Sequence, residues 1–140
     1  MMAVIFMLVY NGKEYSDYEL EITYGKYRIH RNGKIVEGVS PFFSFRTDDF
    51  IIGIETIYDE KDIKGINTCQ VVDISSYISD FCFEDAKGWI SLNHGDIFAS
   101  LEKLKDDTFM IKASCKAEDL DFFDIRIEDK ISLLGRGEVS

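Results

Sequence analysis

His94-Gly95-Asp96 is where residue types and spacing come nearest to catalytic chemistry, because an imidazole beside a carboxylate can act as a general base. Asn93 stands just before them and offers a side-chain oxygen to exposed N–H groups, with Asp96 three residues on, as in a capping box. This arrangement assigns Asn93, His94 and Asp96 to starting a helix, whose positive end opposes protonation of the imidazole. The other histidine, His30, lies between Ile29 and Arg31 on the polar side of an alternating segment. Neither histidine sits beside a serine or cysteine in a nucleophile elbow, so no catalytic residues are assigned and an enzyme is not expected.

Carboxylates are so numerous that pairs suited to acid–base hydrolysis carry no specificity. The most calcium-like run, Asp59-Glu60-Lys61-Asp62-Ile63-Lys64-Gly65, puts Lys61 and Ile63 where an EF-hand loop needs oxygen ligands, and Asp119-Leu120-Asp121 lacks the required glycine. Cys69, Cys82 and Cys115 form no CxxC or CxxH spacing, and their positions are those of small buried side chains. Their odd number speaks against a disulfide framework and for a reducing, cytoplasmic location. No glycine-rich phosphate loop is present, so neither metal nor cofactor is expected.

Charge is the informative property. There are 26 Asp and Glu against 16 Lys and Arg, a net charge of −10. Such a surface repels phosphate backbones and anionic lipid, which excludes nucleic acid and membrane as expected ligands and makes a basic protein the natural partner. A hydrophobic content of 46%, with 11 Phe and 7 Tyr, supplies enough apolar area for a folded core, so the acid is expected on a rigid surface and not on a disordered tail. Acidic clusters at turns are also what solubility alone would produce. Their concentration on two strand faces favours a contiguous binding surface.

The elements that must carry these charges read as strands. Ala3 to Tyr10 is an apolar strand and not a leader, having no positive start or small-residue cleavage site. Asn11-Gly12 and Asn32-Gly33 suit type I′ hairpin turns. Strict alternation puts Tyr18, Leu20, Ile22 and Tyr24 on one face and Glu19, Glu21 and Thr23 on the other. Phe50, Ile52 and Ile54 alternate against Ile51 and Ile57, as in a strand covered on both sides. Thr68 to Ile74 and Trp89 to Leu92 are weaker strands, and Ser75 to Lys87 fits either a strand or an irregular excursion. Phe109 to Lys116 and Phe123 to Glu128 alternate as a terminal hairpin. Between them Ile97, Leu101 and Leu104 recur at helical spacing with Phe98 beside them, predicting an amphipathic helix over about 94–105.

The expected architecture is one domain over residues 1–140, α+β and mainly antiparallel β. It is a curved sheet or two-sheet meander of about seven to nine strands with the single helix packed on it. The expected function is that of a small acidic inhibitor of a basic protein, comparable in physical character to the immunity protein a bacterium keeps against its own toxin. The contacts assigned to that partner are Glu19, Glu21, Asp121, Asp124 and Glu128, with Trp89, Tyr24, Tyr27 or Tyr58 as aromatic anchors. Two other classes fit the composition. One is a small-molecule binder or carboxylate-dependent hydrolase, the other a subunit joining an assembly through the first strand as an exposed edge.

Overall fold

Two Asn-Gly turns reverse the chain as their dihedral requirements dictate. Asn11 and Gly12 have φ of 50° and 83°, and Asn32 and Gly33 have 53° and 75°, the left-handed pair of a type I′ turn. The first turn joins β1 (Met7–Tyr10) to β2 (Lys13–Tyr15), and the second joins the long strands β3 (Glu19–Arg31) and β4 (Lys34–Arg46). These come from a computed structural model that describes residues 6–106, 108–118 and 122–131.

The chain continues through β5 (Phe50–Thr56), β6 (Tyr58–Asp59), the five-residue helix α1 (Glu60–Lys64) and β7 (Val71–Asp73). A 3-10 turn at Ser75–Tyr77 leads to β8 (Ile78–Asp85), then β9 (Gly88–Ser91), β10 (Asp96–Lys103), β11 (Phe109–Glu118) and β12 (Phe122–Ile131). The first sheet has the order β2-β1-β12-β11-β10-β7, the second β3-β4-β5-β8-β9 with β6 beside β4, and every pairing is antiparallel.

The inner faces of the two sheets share one core. Alternation buries Phe109, Ile111, Ala113, Cys115 and Ala117 from β11 and Phe123, Ile125, Ile127 and Ile131 from β12. Opposite them stand Phe43, Phe45, Phe50, Ile52, Ile54, Phe81 and Phe83 of the second sheet. An aromatic cluster ties the layers: Tyr10 of β1 lies 5.0 Å from the rings of both Phe50 and Phe83, and Phe83 lies 5.1 Å from Phe123 of β12.

The helix expected over 94–105 is instead β10. Ile97, Ala99 and Leu101 turn inward while Asp96 and Phe98 are exposed, a period of two. The four-residue spacing of Ile97 and Leu101 satisfies a helix and a strand equally, and pairing with β11 along its whole length and with β7 at Ser100–Glu102 decides for the strand. Asn93 caps no helix. Its Oδ1 accepts the Phe81 N–H at 2.7 Å, while Leu92 N–H donates to the Phe81 carbonyl at 2.7 Å, so the side chain completes the β8–β9 ladder where the chain leaves for the other sheet. The helix that does form, α1, is followed by buried Ile66 and carries buried Ile63.

Other expectations change in detail. Among the described residues the strands number twelve, because short β2, β6, β7 and β9 exist through their pairing. Ser75 to Lys87 holds the buried strand β8. The first strand is no edge at Leu8, Val9 and Tyr10, which pair with β2 on one side and β12 on the other. Over β5 the outer side is only partly covered, Ile51 being half-buried and Ile57 exposed.

Candidate functional site

The register of the second sheet assembles a carboxylate-rich outer face from five strands. One cross-strand row runs Glu19, Arg46, Ile51, Glu84 and Trp89, the next Glu21, Ser44, Gly53, Cys82 and Ser91, and the third Thr23, Phe42, Glu55 and Asp80. Among these described positions five carboxylates meet one cation, Arg46. Four strand spacings separate Glu19 from Trp89, about 19 Å. The outer phase of β3 bears Glu19, Glu21 and Thr23, all exposed, as alternation predicts. At one end of the face, Asp17, Tyr18, Glu19, Arg46, Thr47 and Asp48 line a cleft of about 250 Å³.

Gly53 lies at the middle of this face. A Cβ there would come within 2.7 Å of both the Cys82 Sγ and the Phe42 ring, so those two side chains occupy the space over β5. Trp89 is 59% exposed, and burial holds the Cys82 thiol above its ordinary pKa. The result is a patch of Trp89, Phe42 and Ile51 among acidic groups. Glu55 Oε1 is fixed by the Ser79 hydroxyl at 2.8 Å.

Asp124 and Glu128 belong elsewhere. Both lie on β12 with the outward phase of the first sheet, on the opposite side of the sandwich from Glu19, Glu21 and Trp89. There the acid is interleaved with base: Asp124, Lys116 and Asp96 share one row, Lys112 Nζ lies 3.9 Å from Glu128 Oε1, and Arg126 Nε lies 3.8 Å from Asp124 Oδ1. An open depression of about 650 Å³ on this face is lined by Asp96, Phe98, Ser114, Lys116, Asp124 and Arg126 among others. Asp124 Oδ1 is buried in it without a hydrogen-bond partner, since 3.8 Å is an ion-pair and not a hydrogen-bond distance.

The acidic surface expected from all these residues is therefore two surfaces. Asp121 lies outside the described residues, as do the side chains of Tyr24, Tyr27 and Tyr58, although the last three have their backbone in strands. Glu55, Asp80 and Glu84 were not among the contacts assigned from sequence, because their partnership with Glu19 and Glu21 is a matter of strand order. His94 is exposed in a turn closed by the Gly95 N–H to the Leu92 carbonyl at 2.9 Å, and Asp96 opens β10 opposite Lys116. Cys82 and Cys115 are buried as expected, but Cys69 is exposed at a φ of 66°. Among the described residues no group of His, Cys, Asp and Glu is arranged to hold a metal ion, and no helix is long and apolar enough to cross a membrane.

Compared with family models, with curated proteins and with solved structures, the chain matches none.

Proposed function

We propose that this protein is a small binding inhibitor that holds a basic protein against the outer face of its second sheet. The observation that carries the reading is the gathering of Glu19, Glu21, Glu55, Asp80 and Glu84 on one sheet face that bears one arginine among the rows described, with Trp89 exposed at the margin. Glu19 and Glu21, about 7 Å apart along β3, and Glu55 and Asp80, about 5 Å apart across β5 and β8, have their backbones held by the sheet, so they lose little freedom on meeting cations. A nuclease must present Lys and Arg to its substrate, and this face covers such a surface while attracting it from a distance. In a bacterium, that is the task of an immunity protein facing its cognate toxin in the cytoplasm. Trp89 supplies the aromatic anchor. Asp124 and Glu128, on the other side and close to their own cations, are left out of this interface.

The test is co-purification with the product of the neighbouring coding sequence, expected to be basic, followed by stopped-flow binding at several salt concentrations. Replacing Glu19, Glu21 and Glu84 by Lys together should slow association at least about tenfold and remove its salt dependence. Trp89→Ala should raise the dissociation rate by about 30-fold, the effect of a 2 kcal/mol anchor. An unchanged association rate and salt slope in the triple variant would sink the proposal.

A second reading attaches to the first sheet. The depression with the unpartnered Asp124 Oδ1 suits a small ligand that brings a donor to that oxygen. Backbone amide shifts of Ser114 and Lys116 on titration with small amines or guanidinium compounds would support it.

A further inference from the structure

One segment opposes the charge of the chain. Residues 26–34 carry Lys26, Arg28, Arg31 and Lys34, with His30, and no acid, in a protein of net charge −10. The fold places this segment at the tip of the β3–β4 hairpin, paired from Glu19 with Arg46 through to Arg31 with Lys34. On the other side of β4, β5 reaches only Phe42–Arg46 and β6 only Gly38 and Val39. Among the described residues, no third strand flanks Lys34–Glu37 or their partners Arg28–Arg31. The tip is thus a two-stranded arm about 14 Å long at 3.4 Å per residue. That length exceeds the screening distance of about 8 Å at physiological salt, so Arg31 and Lys34 at the far end stand beyond the reach of the acid on the body, while Glu37 is the register partner of Arg28 at the base.

A two-stranded ribbon is marginal without something packed against it. Ile35 on this one is 60% exposed. We propose that the arm of one copy docks on the acidic outer face of the second sheet of another copy. The two surfaces match in charge, Arg28, Arg31 and Lys34, with Glu37 as the arm's one acid, against Glu19, Glu21, Glu55, Asp80 and Glu84. They match in apolar content too, since the receiving face offers Trp89, Ile51 and Phe42 to Ile35. A phosphate backbone would satisfy the arm's charge and leave Ile35 uncovered, which favours the protein face over nucleic acid. Each copy owns one arm and one face, so reciprocal docking about a two-fold axis uses both and closes as a dimer. The same face is the one assigned above to a basic partner. The arm would occupy it until a stronger partner displaced it, but the dimer does not depend on that function.

Sedimentation velocity of the protein alone tests the proposal across a concentration series, at about 50 mM and about 500 mM salt. The expected result is a dimer at low salt that dissociates at high salt. Arg28→Glu, Arg31→Glu and Lys34→Glu together should weaken it at least tenfold, and so should Glu19→Lys, Glu21→Lys and Glu84→Lys together, with circular dichroism and melting temperature checking the fold. Mixing the two reversed proteins should restore a heterodimer, because each then offers what the other lacks. The single exposed reversal Lys34→Glu gives a milder form should a triple variant not fold. A wild-type protein that stays monomeric at low salt, or a dimer indifferent to arm reversal, would overturn the proposal. So would a monomer whose arm binds a short oligonucleotide.

Discussion

Tyr18 donates a hydrogen bond of 2.7 Å to Oδ2 of Asp129, joining the approach to β3 in one sheet to the inner face of β12 in the other. Asp129 is 6% exposed on a strand face otherwise made of Phe123, Ile125, Ile127 and Ile131. Its second oxygen accepts the Lys130 N–H at 2.7 Å. A buried carboxylate is tolerated when its oxygens are bonded, and here both are.

Losing the Tyr18 hydroxyl should therefore be costly. Tyr18→Phe is expected to destabilise the fold by about 1 to 3 kcal/mol, because it leaves an acceptor short of its donor. Burial, the bond to Asp129 and the charge of Asp129 all push the phenol above its ordinary value of 10.0. The folded state favours the neutral phenol, so this contribution is complete below pH 10 and is lost as pH rises above it. Urea unfolding of wild type should show a steeper decline above about pH 10 than the Phe variant. Coincident profiles would mean that the pair is not formed.

For β10, strand and helix make different demands on adjacent residues. Leu101 is 1% exposed, and Leu101→Ala should cost about 2 to 5 kcal/mol. Phe98 is 67% exposed, so Phe98→Thr should stay within about 0.5 kcal/mol. A helix with Phe98 on its apolar face would require both substitutions to be damaging, and denaturant midpoints distinguish the two.

Crossing from β9 to β10 leaves little room. A Cβ on Gly95 would lie 2.7 Å from the Lys116 carbonyl oxygen, a backbone atom that cannot rotate away. At Gly53 the obstacles are the tips of side chains. Gly95→Ala should thus cost about 1 to 3 kcal/mol and more than Gly53→Ala. Asn93→Ala should also destabilise by about 1 to 3 kcal/mol by orphaning the Phe81 N–H. Thermal unfolding of the three variants would check the order.

The thiols should divide by exposure. Burial, with the charge of Asp96 added, pushes Cys115 up to about 11, and burial also raises Cys82, whereas Cys69 is exposed. At about pH 8 a disulfide reagent should label Cys69 rapidly and the other two only after denaturant is added. Fast labelling of all three in the native protein would contradict the burial of Cys82 and Cys115.

The amino-acid sequence by itself determined the features whose physics is local. Asn-Gly pairs accept positive φ, so both hairpin turns were legible, and alternation correctly divided Leu20 and Ile22 from Glu19 and Glu21, and Phe109 and Ile111 from Met110 and Lys112. Even the inward face of β5 followed from Phe50, Ile52 and Ile54. Where one pattern fits two periods, only pairing chose: Ile97 and Leu101 became a strand because β7 and β11 offered hydrogen bonds on both sides. Tertiary structure also decided which carboxylates share a surface. Glu19 and Glu84 lie 65 positions apart and come into one row through the order of strands, while Asp124 and Glu128 are carried to the opposite face. The burial of Asp129 is the plainest case, since nothing in its neighbours along the chain announces Tyr18, 111 residues away. Alternation fixes the side of a strand that a residue occupies, but strand order and sheet stacking, which depend on contacts distant in sequence, fix what that side meets.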